Sequence, residues 1–484
     1  MPYRIYPAIG IARLGNDLDR FYVGPERPGH RGVEIDAAGV ETAVTEYKVD
    51  ADQVKRQAAR FRLFELPPDG GAPQPAQLAA GSTVEWTVHL ANRKAAVQRP
   101  DGPPSQPLRP QLIANASQLL VDPGSRSITG ASALAVRFNT GEYKGRRVPL
   151  GELRTDKDQN LLVCGGFGFS SSPTNAPLPS FYTNPGWHDD TSDGFVKAKI
   201  RRADGSFDED VEGAWVIVGP PDYAPEVQGV VTLYDILADV GHANFGVPAP
   251  TQISFTNHIF PMLLRTRRLQ WVNSDPNWSE VSEDWAALGN NTAAAAALRS
   301  ENADHVRDIE GLLQRYRLTS LQNQALDQWV LGNFASDWVG LPQVPAGLMA
   351  DGLTRAALDG TIGRGFYPGI EGGILLTDPT IYRVPFDYRI DQAQLAPGDL
   401  TAHMALPWQA DFFDCRGNWW PSQRPDTVRI SASSPATLQW ARGVTSHLDM
   451  VHNFSKLGFV TAQVDPAGNT VFVETQRSDP NLFA

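Results

Sequence analysis

Glycine and proline interrupt this chain so often that its regular elements have to be short: 43 Gly and 38 Pro are spread over 484 residues. Proline removes a backbone donor and fixes φ, while glycine opens the conformations that turns need. That density favours many short strands joined by long loops over a helical bundle. The fold class expected is therefore α+β, β-rich, with a small helical subdomain. The chain is too long for one simple core. It divides into a β-rich N-terminal region (1–245), a helical subdomain (246–340), and a Cys/Trp region closed by a C-terminal helix and hairpin (341–484).

Local patterns fill in that outline. Residues 3–24 read as two short strands. VDADQVKRQAARFRLFEL (49–66) starts as an amphipathic helix, with Asp50 as N-cap and Gln53 completing a capping box, and continues as a strand towards Pro67. STVEWTVHLANRK (82–94) alternates from Val84 to Leu90, as a half-buried strand does. Strands are also expected at 133–138, 160–164 and 211–226, and a short helix at 230–241. Residues 280–330, rich in Ala and periodic in apolar side chains, form the helical stretch. Near the C-terminus, GVTSHLDMVHNFSKLGFV is a helix capped by Gly458, and a hairpin turns through Pro466–Asn469.

Charge and cysteine content exclude several classes of function. A formal charge of −12 and a pI near 5.3, with no Lys/Arg cluster, argue against nucleic-acid and anionic-membrane partners. No apolar window approaches the roughly 20 residues of a membrane span, and the N-terminus has no secretory core. A cytoplasmic location is expected. Cys164 and Cys415 allow at most one disulfide and read better as reduced thiols or as a modified residue. No glycine-rich nucleotide loop is present.

The chemistry concentrates in HMALPWQADFFDCRGNWWPSQRPD (403–426), which carries Cys415, Trp408, Trp419 and Trp420. If Trp408–Cys415 is helical, Asp411 and Cys415 stand one turn apart on one face. A carboxylate there can accept the thiol proton. The turn at Gly417 folds Trp419 and Trp420 back towards the sulfur. The plain alternative is a Trp-rich core corner with a buried thiol. A second dense patch is the long loop after Cys164, which brings Trp187, His188, Asp189, Asp190 and Asp193 together. It could bind a metal, but Asp/Ser/Thr runs of this kind more often bond their own turn backbone. His447 and His452, five apart on a helix, do not converge on a metal.

Six phrases, in order, resemble the LodA-like quinoproteins, the L-lysine ε-oxidase and glycine oxidase relatives. They are IYPAIGIARLGN, ELRTD, GWHDDTSDG, AWVIVGPPDYAP with VTLYD, ALPWQADFFDC, and WWPSQRPD. The resemblance implies an O2-dependent amine or amino-acid oxidase with a protein-derived cysteine tryptophylquinone. It puts the thioether sulfur at Cys415 and an assisting carboxylate at Asp411. It also implies a flavoprotein maturation partner and a homo-oligomer. Substrate amine condenses with the quinone, and oxygen reoxidises it.

This chain departs from the pattern at two places. Phe454, in FSKLGF, stands where relatives carry the cofactor tryptophan, so an indole would have to come from Trp420 or Trp419. His188 stands where relatives carry tyrosine, and with His447 it is a candidate proton-transfer group. The leading expectation is an oxidoreductase acting on an amino acid or other primary amine. The alternatives keep the fold without the quinone. One is a metal-dependent or cofactor-free tailoring enzyme using His188, Asp189, Asp190, His403, Asp411 and His447. The other is a non-catalytic ligand- or partner-binding relative.

Overall fold

The computed structural model describes residues 2–50, 52–208, 210–307, 318–341, 349–363, 373–414 and 422–478. The fold is α+β, and its centre is a large mixed sheet. Nine of its strands form the main path: β1 (Ile9–Arg13), β2 (Arg56–Glu65), β3 (Thr83–Val88), β4 (Arg126–Thr129), β5 (Val136–Arg137), β6 (Glu152–Thr155), β7 (Leu161–Cys164), β8 (Ser192–Arg201) and β9 (Ala214–Gly219). In space they run β5-β6-β7-β2-β1-β9-β8-β3-β4. The central pair, β1 and β9, is parallel, with Ile11 opposite Ile217. Every residue of both strands is buried, which is why they read as continuous apolar runs. β3 lies further out, and its residues alternate between half-buried and buried, as the sequence pattern predicts.

The long strand β2 corrects one expectation. In the segment expected to begin as a helix from Asp50, the Gln53 amide instead donates back to Asp50 O at 3.2 Å, and ten residues of strand follow from Arg56. Its helical periodicity is outweighed by pairing with β7 (Phe61 opposite Leu161) and by buried arginines that find acid partners across the sheet. Gly10 of β1 lies under the Phe61 ring of β2. A Cβ there would meet that ring at 2.3 Å, so only glycine permits the strands to close. Residues 3–24 form three strands rather than two, because Phe21–Val23 also joins β2.

Helices follow the sheet. α1 (Leu233–Phe245) is closed by a Thr232–Asp235 capping box and by a left-handed Gly246. The helical stretch includes α2 (Phe260–Arg268), α3 (Ala296–Arg307) and α4 (Ser320–Val330). α5 (Ala350–Asp359) packs on β1, and its Thr354 Oγ1 accepts the amide of Ala8, the residue before that strand, at 3.0 Å. One contiguous apolar cluster runs from Ile5 to Phe472 and joins sheet, helices and C-terminal hairpin. The hairpin pairs Phe459–Val464 with Thr470–Thr475. Gly458 does not act as a left-handed cap. The preceding helix ends in a 3-10 turn at Phe454–Lys456, and a Cβ on Gly458 would meet Glu474 Cγ at 2.4 Å. The glycine is there for close approach. Among the described residues no helix is long and apolar enough to cross a membrane.

Candidate active site

The site is built around α6 (Trp408–Asp414), in which every residue but the last is buried. Its apolar side chains Trp408, Phe412 and Phe413 join the main core. Each contributes roughly 1.5–3 kcal/mol of burial, which gives a short helix a fixed seat. Asp411 shares that burial, at 1 % exposed. Gln409, also wholly buried, fastens the helix to the 168–170 segment, with Nε2 donating to Gly168 O at 3.0 Å and Oε1 accepting from Ser170 Oγ at 2.6 Å.

The helix begins on a carboxylate. Asp189 Oδ2 accepts the Trp408 amide at 3.0 Å and the Lys94 ammonium at 2.7 Å. Its Oδ1 accepts from Asn92 Nδ2 at 2.8 Å and Thr191 Oγ1 at 2.9 Å. Lys94 and Asp189 are both wholly buried. Burial pushes the Lys94 ammonium pKa down, and Asp189 opposes that shift.

At the other end Asp414 reaches α7 (His447–Asn453), where its Oδ2 lies 2.7 Å from His447 Nε2. The Phe413 ring stands edge-on to that imidazole at 5.0 Å. Of the residues singled out in the sequence, α6 and α7 thus bring Asp411, Asp414 and His447 onto one pair of elements. Cys415, Trp419 and Trp420 lie outside the described residues.

His188 belongs to the opposite end, beside Asp189. Its Nε2 lies 2.9 Å from Ser171 Oγ, and Tyr143 covers the ring at 5.0 Å. Burial pushes its pKa down to about 4, so it is neutral near pH 7. His403 is also buried and is pushed down to about 4, by burial first and then by Arg99.

The aspartates of the loop do not close on a metal, and they do not chiefly serve their own turn. Asp193 takes the Trp215 indole N–H at 3.0 Å and, from 208 positions away, the Thr401 amide at 2.8 Å. Asp190 Oδ2 accepts the Phe167 amide at 2.6 Å. Burial and neighbouring Asp189 push the Asp190 carboxyl up to about 8. Among the described residues no group of three His, Cys, Asp or Glu could hold a metal. Lys94, Asn92 and Gln409 were not singled out by sequence reasoning. The available signal was a lysine just past a half-buried strand.

Phe454 is the departure with chemical consequence. It is buried, edge-on to Trp408 at 5.2 Å, and its carbonyl accepts Tyr223 Oη at 2.5 Å. Gly168 closes in on the tip of the ring: its φ is +73°, and a Cβ there would lie 2.5 Å from Phe454 Cζ. A phenyl ring offers no indole for a thioether-linked quinone. The described tryptophans nearby do not replace it. Trp408 is wholly buried at the first turn of α6, edge-on to Phe412 and Phe454. Trp440 donates Nε1 to Gly458 O at 2.8 Å and faces the Arg424 guanidinium. None of the tryptophans described near Phe454 is placed to supply that indole, and the sulfur of Cys415 and the candidate donors Trp419 and Trp420 lie outside the described residues.

Comparison with known proteins agrees with this architecture. Residues 6–218 match the L-lysine epsilon oxidase N-terminal family, and residues 300–440 the L-lysine epsilon oxidase C-terminal domain. The chain belongs to this LodA-like family. L-lysine 6-oxidase of Marinomonas mediterranea is 25% identical over 667 aligned positions, covering 99% of this chain and 90% of the relative. The crystal structure of the L-Lys ε-oxidase from that organism superposes with a TM-score of 0.81 at 23% identity, over 98% of this chain and 95% of that one. A structure of its Schiff base intermediate with L-Lys superposes equally well.

Proposed function

We propose that this protein is an amine oxidase-type oxidoreductase acting on an amino acid or other small primary amine, with its reaction centre at the C-terminal end of α6. The observation that carries this reading is the match over 99% of the chain to a relative named for lysine oxidation. Asp411, one turn before Cys415 and buried, takes the role of acceptor for the thiol proton. The exposed Asp414 and the partly buried His447 at the helix end pass protons between the centre and solvent. His188, neutral and at the far end of the helix, holds its loop.

The experiment is release of ammonia and hydrogen peroxide from a panel of amines under oxygen, read beside intact mass. A mass about 28 Da above sequence corresponds to two oxygens gained and four hydrogens lost. It would join Cys415 to an indole, with Trp420 or Trp419 as donor, and would bring in a flavoprotein maturation partner. No turnover of any amine removes the oxidase reading.

Phe454 favours a second reading: the same scaffold without the quinone, working as a cofactor-free or metal-dependent enzyme or as a ligand-binding relative. Unmodified mass, together with biological activity unchanged in Cys415→Ala, supports it. A homo-oligomer and a cytoplasmic location complete the proposal, and sedimentation and cell fractionation test them.

A further inference from the structure

We infer that Asp189 and Lys94 are positioning residues for the reaction centre: their buried ion pair fixes where α6 begins, and so where Asp411 stands and from where the chain runs on to Cys415. The inference rests on the proposed centre at Cys415. Asp189 fills the roughly four acceptor sites of a carboxylate with four donors: Lys94 Nζ, Asn92 Nδ2, Thr191 Oγ1 and the Trp408 amide. Lys94 Nζ also donates to Ala405 O at 2.8 Å, three residues before the helix. Asn92 Nδ2 reaches the Asp189 and Thr191 carbonyls at 3.0 and 2.8 Å. The pair thereby binds three stretches of chain at one point: the segment after β3, the His188–Thr191 loop, and the approach to α6.

Stability alone does not account for such a pair, because apolar side chains of similar volume commonly hold a core as well. What charge-assisted bonds add is fixed length and direction. With its first amide held on Asp189, α6 can neither slide nor rotate. A displacement of about 1 Å at a reacting centre lowers rates by about 10²-fold.

The test pairs Asp189→Ala with Lys94→Met, which removes both charges and leaves neither buried alone. The chain's two cysteines supply an internal comparison. Cys164 is wholly buried on β7 and reacts with iodoacetamide only when the fold opens. The expected result is a change confined to Cys415. If its thiol is free, its alkylation rate shifts about tenfold or more while that of Cys164 holds; if it is joined to an indole, the joined fraction falls. Asp189→Glu, which keeps the charge on a longer arm, restores part of the effect. Cys415 unchanged in the folded double variant, or both cysteines shifting together, overturns the inference. If the double variant does not fold, Thr191→Val removes one donor from Asp189, and the same cysteine ratio decides. Failure of the wild type to turn over any amine would sink the proposed function, while the alkylation ratio still reads this inference.

Discussion

His447 Nε2 stands 2.7 Å from Asp414 Oδ2, so the start of one helix is tied to the end of another, one residue before Cys415 in sequence. The Asp414 side chain is 40 % exposed, which places the pair at the boundary between core and solvent. A hydrogen-bonded imidazole in that position can exchange protons with water without opening the fold. His447→Ala is expected to lower kcat for the amine substrate by about 10²-fold or more. Melting should shift little, since a partly exposed pair of this kind contributes about 1 kcal/mol or less. Steady-state kinetics beside a thermal melt checks both parts.

A pH dependence follows from Asp190. Its carboxyl is held up to about 8 by burial and by Asp189, against about 3.8 in an unfolded chain. The folded state therefore binds this proton more tightly, and the stability it contributes is complete at low pH and lost as pH rises towards 8. His188 and His403, pushed down to about 4, act in the opposite sense, and their contribution is lost as pH falls below about 6.5. Asn mimics the protonated acid. The melting temperature of Asp190→Asn is thus expected to gain on wild type between pH 6.5 and 8. Parallel curves across that interval would refute the assignment.

Restoring an indole at position 454 should strain the seat of α6. The Phe454 ring is closed in by the edge-on Trp408 ring and, at its tip, by the Gly168 backbone. Phe454→Trp adds volume where neither neighbour has room, and is expected to destabilise by about 1–3 kcal/mol. Denaturant unfolding measures this. A variant as stable as wild type would mean that the 454 site has slack.

Glu152, within the ELRTD phrase, has a structural reason to be acidic. It meets Arg56 at 2.9 Å with both side chains wholly buried, and Arg154 also bonds it at 2.9 Å. Glu152→Ala leaves the Arg56 guanidinium buried without its acid, an effect of about 3–5 kcal/mol. Substituting Arg154, which is 30 % exposed, should matter far less. Equal losses from the two substitutions would contradict this ranking.

Much of the scaffold was legible because local patterns report local burial. The alternation of Thr83–Val88, the apolar run of Ala214–Gly219, the short helix α1 and the hairpin that starts at Phe459 all follow from side-chain periodicity and turn chemistry. Family membership was legible from phrases in register. So was a short helix placing Asp411 and Asp414 just before Cys415.

What the chain alone could not decide were relations that exist only once distant segments meet. Residues 56–65 carry a pattern open to helix or strand, and only β7 and buried acid partners select the strand. Asp189 looks like a turn residue, yet its carboxylate receives an amide 219 positions away, with a lysine from a third segment beside it. An Asp in a DDTSD run has the same local chemistry whether it closes its own turn or a remote helix. The choice depends on which donors folding delivers after water is excluded, and that information lies in the packing of the whole molecule.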